Sequence, residues 1–202
     1  MSPTGSSKTV LIILAGPAGV GKSTLCDRLV KEVPGFERVI TATTRPPRIG
    51  EIDGRDYHFL TNAQFDEKIA AGEFLEWARV HRMERRYGTL KSAVLDRLPQ
   101  MNLIANVDVQ GVRSFRAASR TIPLLRERMV TIFVAPDSLD VLRERIQGRG
   151  PMSAEELTQR MQSAEFELAE RNSYDYVIHS ASKEQDFRAL LAYWEQARRK
   201  LV

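Results

Sequence analysis

The chain has 202 residues, 43% hydrophobic and 28% charged, which is enough apolar material for one compact core beneath a well-solvated surface. Its net charge of +4 suits anionic partners. With no basic run interleaved with aromatics, that charge points to phosphorylated small molecules rather than nucleic acid; the single cysteine, Cys26, excludes an intramolecular disulfide.

Residues 1–8 read as a short polar lead-in, disordered and without the apolar core of a signal peptide. No apolar run approaches membrane-spanning length, so a soluble cytoplasmic protein is expected. Val10 to Ala15 is apolar throughout and predicts a buried parallel strand. Gly16-Pro17-Ala18-Gly19-Val20-Gly21-Lys22-Ser23 follows, then Thr24 and a helix with Leu25 and Leu29 on one face. This is the pattern G-x-x-x-x-G-K-[ST] in the strand-loop-helix setting that makes it meaningful. Glycines let successive N–H groups turn onto a phosphate at the positive end of the helix. Lys22 is placed to reach the β- and γ-phosphates and the Ser23 hydroxyl to ligate Mg²⁺, so residues 16–24 are the candidate binding loop for a nucleoside triphosphate.

Pro34-Gly35 ends the first helix, and Val39 to Thr43 predicts a short strand. In the loop from Thr44 to Glu51, Pro46 and Pro47 stiffen a backbone that carries Arg45 and Arg48, a candidate oxyanion clamp. A strand over Asp56–Leu60, a helix over Ala63–Ala71 capped by Asn62, and a strand over Glu73–His81 come next. Tyr87-Gly88-Thr89 is expected as a turn into a helix from Lys91 to Arg97, so residues 41–93 form a strand-rich insertion. The core strand from Leu103 to Asp108 brings Asn106 and Asp108 to its carboxyl end, where open α/β sheets bind ligands. A helix runs from Gln110 to Ser119, and Met129 to Val134 is a third buried strand.

Residues 136–171 predict two helices broken at Gly148-Arg149-Gly150-Pro151. A capping box at Ser153 to Glu156 opens the second, whose apolar stripe is Leu157, Met161, Ala164 and Leu168. With Arg143, Arg145, Arg149 and Arg160 this hairpin resembles a lid over phosphates, although Arg143 reads as plain solvent-facing charge. Tyr176 to His179 is the last strand, and Phe187, Leu190, Leu191, Trp194 and Leu201 mark a C-terminal helix. The expected fold is α/β: a three-layer α/β/α parallel sheet of the P-loop class, from residues 9–40, 94–135 and 172–202, with the insertion and the lid appended.

The order of these pieces resembles the guanylate kinase family, P-loop nucleoside monophosphate kinases. The likeness rests on Gly16–Ser23, Thr43–Glu51, Asp53–Phe59, Glu73–Trp77, Tyr87–Thr89, Asp108–Gly111 and Gly148–Gly150, in family order over nearly the whole chain. It implies Mg²⁺-dependent transfer of the ATP γ-phosphate to GMP, with residues 41–93 as the GMP-binding part. Arg45, Arg48, Tyr57 and Tyr87 would hold the GMP phosphate, and Glu76 would accept from guanine N1–H and the 2-amino group. On the residues alone Glu76 reads as a strand-exposed acid beside Trp77. Thr41 and Thr89 would contact the base through their hydroxyls, and Asp108 would support the base or the water network on the acceptor side. Lys22, Arg45, Arg149 and Arg160 would carry catalysis, with Ser23 on the metal.

The chain departs from the family at Asn106, where an acid is usual, in a longer and more basic stretch over 81–86, and at Ser180-Ala181-Ser182 near the adenine. The resemblance implies GMP and ATP as the only partners, no nucleic acid or membrane, and a monomer or homodimer. Two rival readings share the fold. A ribose-bisphosphate kinase relative fits the phosphate loop but does not call for Glu76, the paired arginines and Tyr57. A non-catalytic guanylate-kinase-like interaction domain does not call for an intact Lys22 and Ser23.

Overall fold

A computed structural model describes residues 9–80, 85–148, 150 and 152–201. The expectations for residues 1–8, for 81–84 and for Arg149 and Pro151 fall outside them.

In chain order the elements are β1 (Leu11–Ala15), α1 (Lys22–Glu32), β2 (Phe36–Arg38), β3 (Ala42–Thr43), β4 (His58–Phe59), α2 (Asn62–Ala70), β5 (Phe74–Val80), β6 (Arg85–Leu90), α3 (Lys91–Leu95), β7 (Asn102–Asn106), α4 (Val109–Ser119), α5 (Pro123–Arg128), β8 (Met129–Ala135), α6 (Leu139–Gln147), α7 (Ala154–Ala169), a 3₁₀ turn (Arg171–Ser173), β9 (Tyr176–His179) and α8 (Lys183–Lys200). The main sheet is parallel, in the order β2-β7-β1-β8-β9. Helices cover both of its faces, which is why β1 is apolar at every position rather than alternating. Ile12 and Leu14 face a cluster with Leu25, Leu29, Ile146 and Phe187, whereas Leu11 and Ile13 face Val112, Phe115 and Leu125. Cys26 is buried in the first cluster, and burial pushes its thiol up to about 12, a chemically quiet site.

A second sheet, in the order β4-β3-β6-β5, stands over the carboxyl ends of the first. Its small core is Ala42, Phe65 and Phe74, with the two phenyl rings stacked at 4.4 Å.

Several elements differ from the sequence expectation. Of the strand expected over Val39–Thr43 only Ala42–Thr43 forms, pairing with His58–Phe59 and with Tyr87–Gly88 in the second sheet, while a strand not foreseen, Phe36–Arg38, precedes it and pairs with Asn102–Ile104 in the first. Tyr87-Gly88-Thr89 is strand rather than turn. Gly88 is there for close approach, since a Cβ would lie 2.8 Å from the Glu76 carbonyl oxygen and 2.8 Å from the Phe74 ring. Helix α2 is capped by Thr61, not Asn62: Thr61 Oγ1 accepts from Gln64 N at 3.2 Å, and Thr61 N donates to Gln64 Oε1 at 2.9 Å. At α7 only half of the expected capping box forms. Ser153 accepts from Glu156 N at 3.1 Å, while the Glu156 carboxylate holds Arg160 at 2.6 Å. Helix α5, opened by Pro123, has too short a pattern to be foreseen. Among the described residues no helix is long and apolar enough to cross a membrane.

Candidate active site

One side of the cleft, the candidate donor side, is made of backbone. Gly16, Gly19 and Gly21 adopt φ of 137°, 94° and 107°, in the region that excludes other residues. At Gly16 space is also forbidding, because a Cβ would meet the Val134 carbonyl oxygen at 2.3 Å. Gly21 caps α1 and offers no side-chain acceptor, so the first-turn N–H groups are not claimed by a cap. The Lys22 ammonium folds back on the loop, donating to the carbonyls of Gly16 and of Pro17, the latter at 3.0 Å. Ser23 and Thr24 are exposed.

Beside the loop, the register that pairs Leu14 with Asn106 sets Asn106 Nδ2 3.2 Å from Ser23 Oγ, to which it donates. Among the described residues no group of three or more His, Cys, Asp or Glu could hold a metal ion. The local donors are therefore a hydroxyl and an amide. Such a set suits a hard cation held chiefly by phosphate oxygens and water, as Mg²⁺ is, and not one held in a protein cage.

A cavity of about 610 Å³ opens along the loop, between Gly19, Val20, Gly21 and Thr24 on one side and Arg145, Gly148 and Asp186 on the other. Asp186 is buried, accepting from Ser180 Oγ at 2.7 Å and from Ala181 N at 2.9 Å. Ser182 caps α8. The departure at 180–182 thus anchors one wall of this cavity.

The other side of the cleft, the candidate acceptor side, is made of side chains from the second sheet and its loops, with Asp108 at the head of α4. Arg45, only 4% exposed, is gripped by Glu51, whose two carboxylate oxygens each accept at 2.8 Å; the Pro46 carbonyl accepts another at 2.8 Å. Its guanidinium lies 5.3 Å from the Tyr57 ring centre and 5.7 Å from that of Phe59. The Tyr57 and Tyr87 rings meet edge to face at 6.1 Å. Glu51 above all, with Tyr87 adding, pushes the Arg45 pKa up; Arg45 and the Arg48 N–H hold the Glu51 carboxyl below the usual range. The Arg48 side chain is exposed, and its N–H donates to Glu51 at 2.7 Å. Thr41 is half-buried at the head of β3, its carbonyl accepting from His58 N at 2.9 Å.

Deeper in, Glu76 on β5 lies opposite Thr89 on β6, and Thr89 Oγ1 donates to Glu76 Oε1 at 2.7 Å. Burial pushes the Glu76 carboxyl up; the Thr89 hydrogen bond opposes this and nearby Asp108 adds to it. Asp108 caps α4, accepting from Gly111 N at 2.7 Å. Of the lid arginines, Arg145 lines the donor cavity and Arg143 is exposed, while Arg160 is turned onto Glu156 of its own helix. Arg149 lies outside the described residues.

Two acids escaped the sequence reading. Glu51 left a signal, standing six residues after Arg45 across two prolines that fold the loop back on itself. Glu167 left another: it follows the buried Ala164 by three residues, so a carboxyl sits on the edge of the apolar stripe of α7. Burial pushes that carboxyl up, Lys22 pulls it down and Asp108 pushes it further up.

The family model for guanylate kinase matches residues 8–197. Proteins named guanylate kinase from Corynebacterium efficiens and Symbiobacterium thermophilum are 43% and 40% identical, covering 83% and 85% of this chain and 85% and 77% of their own. One from Wolbachia is 38% identical over 84% of this chain and 83% of its own length. A crystal structure of guanylate kinase from Anaplasma phagocytophilum, 24% identical, shares the fold with a TM-score of 0.70 over 98% of this chain and 88% of its own.

Proposed function

The chain belongs to the guanylate kinase family and phosphorylates GMP with ATP, and we propose that it does so across the cleft between the phosphate loop and the second sheet, with Mg²⁺ on the donor. The observation that carries the assignment of residues is the Glu76–Thr89 pair at 2.7 Å. It is a desolvated carboxylate, steered by a hydroxyl, in a sheet that also presents a clamped arginine.

Guanine offers N1–H and a 2-amino group to Glu76, with Thr41, Thr89 and Asp108 around the base. Adenine offers neither donor, and a buried carboxylate left short of partners discriminates strongly. Arg45 and Arg48 take the GMP phosphate with the hydroxyls of Tyr57 and Tyr87. Glu51 and the Pro46 carbonyl occupy three N–H groups of Arg45, so the fork is already oriented and its other donors are left for Tyr87 and phosphate. Near neutral pH the phosphate is largely dianionic, its second pKa being about 6, so no general base is needed. Catalysis is alignment and charge neutralisation.

On the donor side the residue 16–24 loop binds the ATP phosphates. Lys22 exchanges the Gly16 and Pro17 carbonyls for them. Ser23 Oγ would ligate Mg²⁺, with Asn106 orienting its water shell; the ion, when bound, neutralises charge on the donor phosphates. Arg160 leaves Glu156 to reach the transferring group, and Arg149, between Gly148 and Gly150, joins it from the lid. We read the reaction as a step of purine nucleotide metabolism, carried out in the cytoplasm. The test is a coupled ADP-release assay with GMP, AMP, UMP and ribose bisphosphate offered singly. Turnover with GMP alone is expected. Equal turnover with AMP would remove the role of Glu76, and none with any acceptor would favour a non-catalytic interaction domain.

A further inference from the structure

A second cleft, of about 500 Å³, opens between the start of α4 and the face of α7, with Asp108, Gln110, Ser163 and Glu167 on its walls. Glu167 is half-buried there. Among the described residues its carboxylate has no hydrogen-bond partner, although its backbone carbonyl accepts from Glu170 N at 3.1 Å. A half-buried carboxylate that takes no donor from the protein faces an open cleft from which a ligand can supply one.

Its neighbours say which ligand. The Glu167 carboxyl feels the Lys22 ammonium and the Asp108 carboxylate at once. In the reading above Lys22, which does not itself line this cleft, stands at the end where phosphate is transferred, and Asp108, on its wall, at the end where guanine lies. A nucleoside monophosphate spanning these two ends has its sugar between them. The sugar of a ribonucleotide carries two vicinal O–H donors there, and two vicinal hydroxyls match the two oxygens of one carboxylate.

We propose that Glu167 reads the ribose of GMP, its carboxylate accepting from the 2′- and 3′-hydroxyls, and so makes this enzyme prefer GMP to dGMP. The inference rests on the placement of GMP given above. It adds that the specificity group for the sugar belongs to the lid helix α7 and not to the second sheet, so the helix is drawn to the acceptor by the same contact. A 2′-deoxy sugar leaves one oxygen of a desolvated carboxylate unserved, the type of mismatch that discriminates best.

The test compares kcat/KM for GMP and dGMP at saturating ATP in the wild type, Glu167→Gln and Glu167→Ala. The wild type should prefer GMP by about tenfold, the worth of one hydrogen bond to a charged acceptor. Glu167→Ala should bring the ratio close to one, by raising KM for GMP more than KM for dGMP, which loses only the 3′-hydroxyl contact, with KM for ATP little changed. Glu167→Gln, which keeps one acceptor oxygen, should fall between them, and it carries the test by itself if the alanine variant does not fold. A ratio unchanged by these substitutions overturns the inference, whatever happens to overall activity, and so does a wild type that does not distinguish the sugars. If neither nucleotide is phosphorylated by the wild type, the placement of GMP fails and the inference with it.

Discussion

The two halves of the cleft are built on opposite plans. The proposed donor half is one run of residues, 16–24, in which backbone would do the binding and three positive-φ glycines shape it. The acceptor half gathers Arg45, Glu51, Tyr57, Glu76, Tyr87 and Thr89, residues spread over 45 positions of the chain from Arg45 to Thr89 and joined only by the second sheet. A backbone site is indifferent to most of its side chains and intolerant of a wrong dihedral angle. A side-chain site tolerates backbone adjustment and fails with one lost fork or carboxylate.

The largest expected effect breaks the acceptor half while sparing the donor. Arg45→Lys keeps the charge but not the planar fork held by Glu51; kcat/KM for GMP should fall about 10²–10³-fold with KM for ATP nearly constant. Equal losses for both nucleotides would blur the division.

The donor half is next. Gly16→Ala drives a Cβ to 2.3 Å from a backbone oxygen and should cost about 3 kcal/mol or more in unfolding experiments. Gly21→Ala, with open space around the new Cβ, pays only for its backbone angle, about 1 kcal/mol.

Glu76→Gln sharpens the contrast, because it should weaken function and strengthen the fold. KM for GMP should rise about tenfold, while the unliganded protein gains about 1 kcal/mol. The sign follows from titration. The Glu76 carboxyl is raised above its ordinary 4.5 in the folded chain, so just above that pH the native state binds more protons than the unfolded one. Stability due to this group therefore falls as pH rises through that window. The advantage of the glutamine variant is full at neutral pH and disappears on acidification towards 4.5, which thermal melts across pH would record.

The smallest effect is expected at a side-chain contact of the donor half, between Asn106 and Ser23. Asn106→Asp adds a charge beside Ser23 and should lower the Mg²⁺ needed for half-maximal rate severalfold. An unchanged metal titration would leave Asn106 as an anchor for the Ser23 hydroxyl alone.

How much of this was legible follows the same division. The phosphate loop, β1, β8 and the apolar stripe of α7 can be read from spacing alone, since each is set by contacts within one element and by which face is buried. The second sheet was read unevenly. Of Val39–Thr43 only Ala42–Thr43 is strand, the first-sheet strand having ended at Arg38, and Gly88 looks like a turn residue until Phe74 and Glu76 are seen packed against it. Glu51 and Glu167 leave only a local mark, one six residues past Arg45 and the other on the edge of the α7 stripe; the first matters because a proline-stiffened loop returns it to Arg45, the second because α7 meets α4.

By itself the sequence determined the parallel α/β core, the anion-binding loop and the family, because short-range periodicity and backbone-specific glycines are local properties. Tertiary structure alone decided that Arg45 is held from behind by Glu51, that Asn106 touches Ser23, and that three acids on β5, α4 and α7 share one electrostatic environment. These are long-range encounters of side chains. Strand register and helix packing create them, and no spacing along the chain encodes them.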